Sequence, residues 1–276
     1  MPNAQNNGRK TRIIENHTFV STTKLSSPIL LVIPAYRESK RLPAFLGSLC
    51  RQIADSGQPV NICPVDDGSG KQEANKIREL VSELQTQFPF LLNAVCLDQN
   101  TGKGGAIYSG WDAAGEGTFE WLAFVDADGA VSPKETLRVI SETLARPLDK
   151  KSCGWAVRVQ SEETRIKRTL LRKVLGNIFR LLVKLTFQLP VRDTQCGLKC
   201  IPSEAYWKIR DHLVEKRFVF DVELCVQLIR EGYSIHENPI SWNESSGSTL
   251  NLKSAFRMLT SLIGVRWRMF KQPRKG

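Results

Sequence analysis

Asp126 and Asp128 stand one alanine apart, directly after the apolar run Leu122, Ala123, Phe124, Val125. A short apolar run of this kind reads as a buried strand. The two carboxylates therefore emerge at a strand's C-terminal end, where open α/β sheets bind their ligands. Such a pair suits a hard divalent cation, Mg²⁺ or Mn²⁺, usually held by one or two carboxylates together with substrate phosphates. The same residues alone also suit a plain turn after a strand. Two other loops carry related chemistry. In Asp66-Asp67-Gly68-Ser69 a carboxylate such as Asp66 can hydrogen-bond a nucleobase or ribose, or simply cap a turn. In residues 100–105 three glycines flank Lys103, so that backbone and ammonium can approach a phosphate closely.

The elements that must position these loops follow from the pattern of apolar residues. A strand over 29–33 is closed by Pro34, and behind Pro43 the residues Leu42, Phe45, Leu46 and Leu49 recur at helical spacing. Strand-like 60–65 precedes a helix over 74–88, and strand-like 92–97 precedes a helix through Tyr108 and Trp111. Three strand–helix alternations before the aspartates predict a Rossmann-like, doubly wound, mostly parallel sheet flanked by helices, with all four loops on one sheet edge. The 276 residues fit one large domain over 28–250, with a loose polar arm at 1–27 and a basic helix and tail at 251–276.

Hydrophobic residues at 41% and charged residues at 24% exclude disorder except at the ends. A net charge of +11 calls for an acidic partner: a nucleotide, a phospholipid surface or a nucleic acid. Two helical stretches narrow that choice. Within about 164–189, Leu170, Leu171, Val174, Leu175, Ile178, Leu181, Leu182 and Leu185 share one face, opposite Arg172, Lys173, Arg180 and Lys184. From 252 to 270, Phe256, Leu259, Ile263, Trp267 and Phe270 share another face, opposite Lys253, Arg257 and Arg268. Cations beside apolar faces favour an anionic membrane surface over a nucleic-acid groove. There is no apolar run of about 18 residues or more, which leads us to expect peripheral association rather than a span. Seven cysteines, an odd number without C-x-x-C pairs, suit the reducing cytosol, and Cys196 with Cys200 lacks the matching pair that zinc needs. His17, His212 and His236 form no triad or metal set.

The segments VIPAYRE, VDDGS, NTGKGGA, FVDADGA, RDTQCGLK and RFVFDVEL occur in the order seen in family 2 inverting glycosyltransferases of the GT-A fold, and the chain resembles that family over about 28–270. The branch it looks most like is the polyprenyl (dolichyl) phosphate glucosyltransferases, relatives of dolichyl-phosphate mannose synthase. Ala130 stands where the mannose enzymes often carry glutamine, which turns the resemblance toward the glucosyl side. The resemblance implies donor-binding roles for Pro34, Ala35, Tyr36, Glu38, Asp66, Asp67, Lys103, Asp126 and Gln195. It implies that Asp126 and Asp128 hold Mg²⁺ or Mn²⁺ on the donor diphosphate, and that Asp193 acts on the acceptor side as base or orienting group. Arg158, with Arg168 or Arg172, is implied for the acceptor phosphate, a task the guanidinium fork suits. Asp221 is expected to orient the acceptor loop or cap a helix, and residues 242–248 resemble a loop that closes over the donor.

The expected function is thus metal-dependent, inverting transfer of a hexose, glucose by the closest resemblance, from a nucleotide sugar such as UDP-glucose to a polyprenyl or dolichyl phosphate on the cytosolic membrane face. One alternative is a family 2 transferase with a hydroxyl acceptor on a soluble or polysaccharide substrate. The other is a basic binding module without catalysis, against which the three intact loops argue.

Overall fold

The computed structural model describes residues 29–146, 151–158, 170–241 and 252–271. The N-terminal arm, Arg168 and the 242–248 loop lie outside them, as do the side chains of Arg172 and Phe256. The first strand, β1 (Ile29–Ala35), has Leu30, Leu31, Val32 and Ile33 fully buried. Burial of each such side chain favours folding by about 1.5–3 kcal/mol, and this run forms the middle of the sheet. Chain order continues through α1 (Leu42–Ser56), β2 (Val60–Asp66), α2 (Lys71–Gln85), β3 (Val95–Cys96), α3 (Lys103–Ala114), β4 (Trp121–Val125) and α4 (Pro133–Leu144). The second half comprises β5 (Ser152–Arg158), α5 (Leu170–Phe187), β6 (Leu198–Pro202), α6 (Ser203–Ile209), a 3-10 turn at Arg210–His212, α7 (Phe220–Arg230), β7 (Ser234–Ile240) and α8 (Leu252–Lys271).

The sheet runs β3-β2-β1-β4-β6-β5-β7. Strands β1, β2, β3 and β4 are parallel, and β6 is antiparallel to both β4 and β5. Mostly parallel winding was the expectation. The reversed strand was not, because Lys199 interrupts its apolar run, and this lysine is wholly buried. The third strand is shorter than the expected 92–97. At this sheet edge only Val95 and Cys96 pair in strand fashion, with a separate bridge from Leu91 to Ile62.

Parallel winding places the C-terminal ends of β1, β2, β4 and β5 along one sheet edge. Reversal of β6 brings its beginning to that same edge, since Val125 stands opposite Leu198. The segment before β6, which carries Asp193 and Gln195, is thereby delivered to the aspartates after β4. One sheet face packs on α1, α2 and α4; the other packs on α3, α6 and α7, with Tyr108, Trp111, Phe124, Tyr206 and Phe220 in mutual ring contact. A third apolar cluster joins α5, α7 and α8 through Phe179, Val183, Val222, Val226, Met258, Leu262, Val265 and Met269. Helix α8 is thus packed into the body of the molecule, against the expectation that set it apart as an appendage.

Candidate active site

Asp126 leaves β4 with its N–H donating to the Gly197 carbonyl at 3.0 Å. A Cβ on residue 197 would lie 2.2 Å from Asp126 Oδ2, so only glycine there leaves room for this carboxylate. The other oxygen, Oδ1, pairs with Lys103 Nζ at 2.6 Å. Asp128 Oδ1 accepts from the Ala130 N–H at 3.0 Å, which fixes the turn. Among the described residues no group of three or more His, Cys, Asp or Glu side chains forms a complete metal cage. Two carboxylates on one wall of an open cavity fit a cation that takes its remaining ligands from substrate oxygens and water.

Lys103 opens α3, and its pKa is set by opposition: burial lowers it, while Asp126 and then Asp221 outweigh that effect and raise it. The ammonium is therefore a fixed positive charge at a helix N-terminus, a place suited to phosphate. Asp67 builds the loop before it, accepting from Thr101 N at 2.7 Å, Thr101 Oγ1 at 2.9 Å, Gly102 N at 2.9 Å and Asn100 Nδ2 at 2.9 Å. The glycines act differently from the expectation that all three admit a phosphate. A Cβ on Gly104 would meet Phe220 at 2.5 Å, and one on Gly105 would meet Thr101 Oγ1 at 2.4 Å. Those two glycines serve close packing of α3 against α7 and its own loop.

These loops enclose a cavity of about 430 Å³, within the usual range for small-molecule sites. Of the residues expected to bind the donor, Pro34, Ala35, Tyr36, Glu38, Asp67, Lys103, Asp126 and Asp128 line it. Glu38 also holds Arg41, raising the guanidinium's pKa mainly by that hydrogen bond, with a smaller contribution from Asp128. Asp66 and Gln195 are not among the cavity's lining residues. Asp66 is fully buried and accepts from Ser69 N at 3.1 Å with Oδ2, whereas its Oδ1 has no hydrogen-bond partner. Gln195 Nε2 donates to the Phe218 carbonyl at 3.0 Å. Asn100, Arg217 and Phe218 also line the cavity and were not singled out in the sequence. For Arg217 and Phe218 the available signal was their place at the head of RFVFDVEL, and Gly105 N, donating to Lys216 O at 3.0 Å, shows how that segment reaches the site.

Beside this cavity Arg158 and Asp193 form a two-pronged ion pair, Nε to Oδ2 at 2.6 Å and Nη2 to Oδ1 at 2.9 Å. Burial would raise the Asp193 pKa, but the Arg158 hydrogen bond and charge prevail and hold it below the usual carboxylate value. A carboxylate so engaged suits the expected orienting role better than that of a general base. Arg158 lies near enough to Asp126 for that carboxylate to help raise its own pKa, after burial and the larger effect of Asp193. Deeper in, Lys199 Nζ reaches Asp221 Oδ1 at 3.4 Å and donates to the Cys196 carbonyl. Burial lowers the lysine's pKa and raises that of Asp221. Asp221 is therefore a core ion-pair partner beneath Lys103 and Asp126 rather than a helix cap.

The family model described as Glycosyl transferase family 2 matches residues 30–210. The chain is 32% identical over 243 residues to dolichyl-phosphate beta-glucosyltransferase ALG5A of Trichomonas vaginalis, covering 85% of this chain and 72% of that one. It is 31% identical over 253 residues to the dolichyl-phosphate beta-glucosyltransferase of Saccharomyces cerevisiae, covering 86% and 73%. Among solved structures, glucosyl-3-phosphoglycerate synthase from Mycobacterium tuberculosis, in complex with Mn²⁺, UDP and phosphoglyceric acid, superposes with a TM-score of 0.60 at 14% identity, over 92% of this chain and 82% of that one. The mannosyltransferase PcManGT from Pyrobaculum calidifontis, in complex with GDP-Man and Mn²⁺, gives 0.59 at 16% identity, over 89% and 65%. At these identities the structural likeness establishes the GT-A fold alone.

Proposed function

Since the chain belongs to glycosyl transferase family 2, we propose that it transfers glucose from UDP-glucose to a dolichyl or other polyprenyl phosphate, with inversion, at the cytosolic face of a membrane. The observation that carries the acceptor assignment is the Arg158–Asp193 pair. A hydroxyl acceptor needs a base to take its proton as it attacks, and Asp193, held ionised by Arg158, is a poor one. A phosphate monoester is already ionised near neutral pH. It needs a positioned cation instead, and Asp193 orients Arg158 for that task.

On the donor side, Lys103 and the N-terminus of α3 offset the negative charge that develops on the departing diphosphate. Asp67 ties down the loop of Asn100, Thr101 and Gly102 through its hydrogen bonds. Mg²⁺ or Mn²⁺ held by Asp126 and Asp128 would add Lewis-acid neutralisation of the same diphosphate.

Membrane association is supported by the faces of α5 and α8 that the third cluster leaves outside. Ile178, Leu181 and Leu185 on α5 and Leu259, Ile263, Trp267 and Phe270 on α8 are exposed, Phe270 at 82%. No helix among the described residues is long and apolar enough to cross a membrane. The reading is therefore one of docking on the surface that holds the acceptor. The test is transfer from radiolabelled UDP-glucose to polyprenyl phosphate in detergent, with Mn²⁺ or with EDTA. A chelator-sensitive glycolipid is expected; sugar transfer confined to hydroxyl acceptors would overturn the assignment.

A further inference from the structure

Six charged side chains line the cavity at the strand ends: the carboxylates Glu38, Asp67, Asp126 and Asp128, and the cations Lys103 and Arg217. The two cations are not alike. Lys103 is shared with Asp126 at 2.6 Å. Arg217 is exposed, and its guanidinium makes one hydrogen bond among the described residues, Nη1 donating to the neutral Asn100 Oδ1 at 3.4 Å. Glu215 is turned instead to the Arg217 backbone N–H, at 2.9 Å. The stem of Arg217 lies against the start of α3, since a Cβ on Gly102 would stand 2.8 Å from Arg217 Cγ and 2.6 Å from the Lys216 carbonyl oxygen. Glycine at 102 thus lets Arg217 approach the helix N-terminus that Lys103 opens. The residue after Arg217 is held as well: Gln195 Nε2 donates to the Phe218 carbonyl at 3.0 Å, while the Gln195 N–H donates to Asp193 Oδ1 at 3.2 Å.

A diphosphate entering this cavity meets four carboxylates, and a divalent cation on Asp126 and Asp128 offsets only those two. A guanidinium engaged by no carboxylate, beside a helix N-terminus, is what such an anion would draw. We propose that Arg217 is a donor-binding residue that closes on the diphosphate of the nucleotide sugar, exchanging its hydrogen bond to Asn100 for two to phosphate oxygens. The proposal rests on the donor reading above and adds to it a residue outside the loops that follow β1, β2 and β4. The exchange costs little, because the bond given up is long and ends on a neutral amide. Once the sugar leaves, the same contact offsets the charge that builds on the diphosphate. Arg217 belongs to the donor rather than the acceptor because its neighbours Gly102 and Asn100 lie in the loop before α3, whereas the acceptor-side arginine, Arg158, is bound to Asp193.

The test is titration calorimetry of the full chain with UDP and Mn²⁺, in the absence of any acceptor, beside binding of uridine followed by ligand-observed NMR. Arg217→Met keeps the stem that packs on Gly102 and removes the charge. It should weaken UDP binding by about tenfold or more and leave uridine binding as in wild type, because uridine carries no phosphate. Arg217→Lys should recover part of the loss, and Arg51→Gln, an equal charge change in the third turn of α1, should cause none. In steady-state assays Arg217→Met should raise the KM for UDP-glucose and spare that for polyprenyl phosphate. Equal losses for UDP and uridine would make Arg217 a structural support of the loop and overturn the proposal. Unchanged UDP affinity with a raised KM for polyprenyl phosphate would move Arg217 to the acceptor, and an equal loss in Arg51→Gln would reduce the effect to overall charge; either defeats the assignment. Failure of wild type to bind UDP with Mn²⁺ would overturn the donor reading itself.

Discussion

Arg158 and Asp193 meet through two parallel hydrogen bonds, so removing the carboxylate costs Arg158 its orientation while leaving its charge in place. Asp193→Asn is expected to lower kcat/KM for polyprenyl phosphate by about 10- to 100-fold, with the KM for UDP-glucose little changed. An unchanged acceptor efficiency would sink the orienting role. The pH dependence has a definite sign. Asp193 is held below its ordinary value, so its stabilising contribution is complete above about pH 4, where an unfolded aspartate ionises, and is lost as pH falls through the lower folded value. The gap in melting temperature between wild type and Asp193→Asn should thus be constant from pH 7 to 5 and close below about pH 4. Gly197 offers a second test at this scale. A Cβ there would stand 2.2 Å from Asp126 Oδ2, so Gly197→Ala should weaken Mn²⁺-dependent UDP-glucose binding by about tenfold or more, measured by titration calorimetry. Undiminished binding would remove Asp126 from the metal site.

Helices and loops show which features were legible in the sequence and which were not. The cavity loops after β1, β2 and β4 announce themselves because each follows an apolar strand and carries polar residues close together in the chain. Arg217 and Phe218 did not, because they reach the cavity through contacts distant in sequence: Gln195 on the Phe218 carbonyl and Gly105 on the Lys216 carbonyl. Strand β6 was hidden for the opposite reason, since a buried lysine reads as a surface residue until Asp221, Phe124 and Trp155 are seen around it. The link from α7 to α8 was equally silent. Glu223, wholly buried, accepts from Val214 N at 2.8 Å and Glu215 N at 2.6 Å, and Arg268 of α8 binds its other oxygen at 2.8 Å. Arg268→Ala leaves that carboxylate short of a partner, and about 2 kcal/mol of stability should go with it. In a chain of this size that corresponds to a fall in melting temperature of roughly 4–8 °C. Because Glu223 also anchors the segment leading to Arg217, the KM for UDP-glucose should rise as well. Loss of stability alone would confine Arg268 to the core.

The whole molecule sets its exposed apolar side chains and its chemistry on connected elements. Helices α5 and α8 pack on each other and on α7, and α7 is preceded by the two cavity residues Arg217 and Phe218. Deleting α8 would therefore confuse anchoring with folding, since Met258, Leu262, Val265 and Met269 are core and Arg268 holds Glu223. The informative change is confined to the outer face. Trp267 and Phe270 are exposed, and burying two aromatic side chains in the membrane interface contributes a few kcal/mol to binding. Trp267→Ser with Phe270→Ser should leave the melting temperature within about 2 °C of wild type, because exposed substitutions rarely cost more than ~0.5 kcal/mol. Sedimentation with phosphatidylcholine–phosphatidylglycerol vesicles should fall by more than tenfold. Transfer to polyprenyl phosphate in such vesicles should fall in parallel, while transfer in detergent, where substrate and enzyme meet without docking, should fall far less. Equal activity losses in both media would mean that the two aromatic residues support the site directly, and full vesicle binding by the variant would place the docking face elsewhere on the molecule.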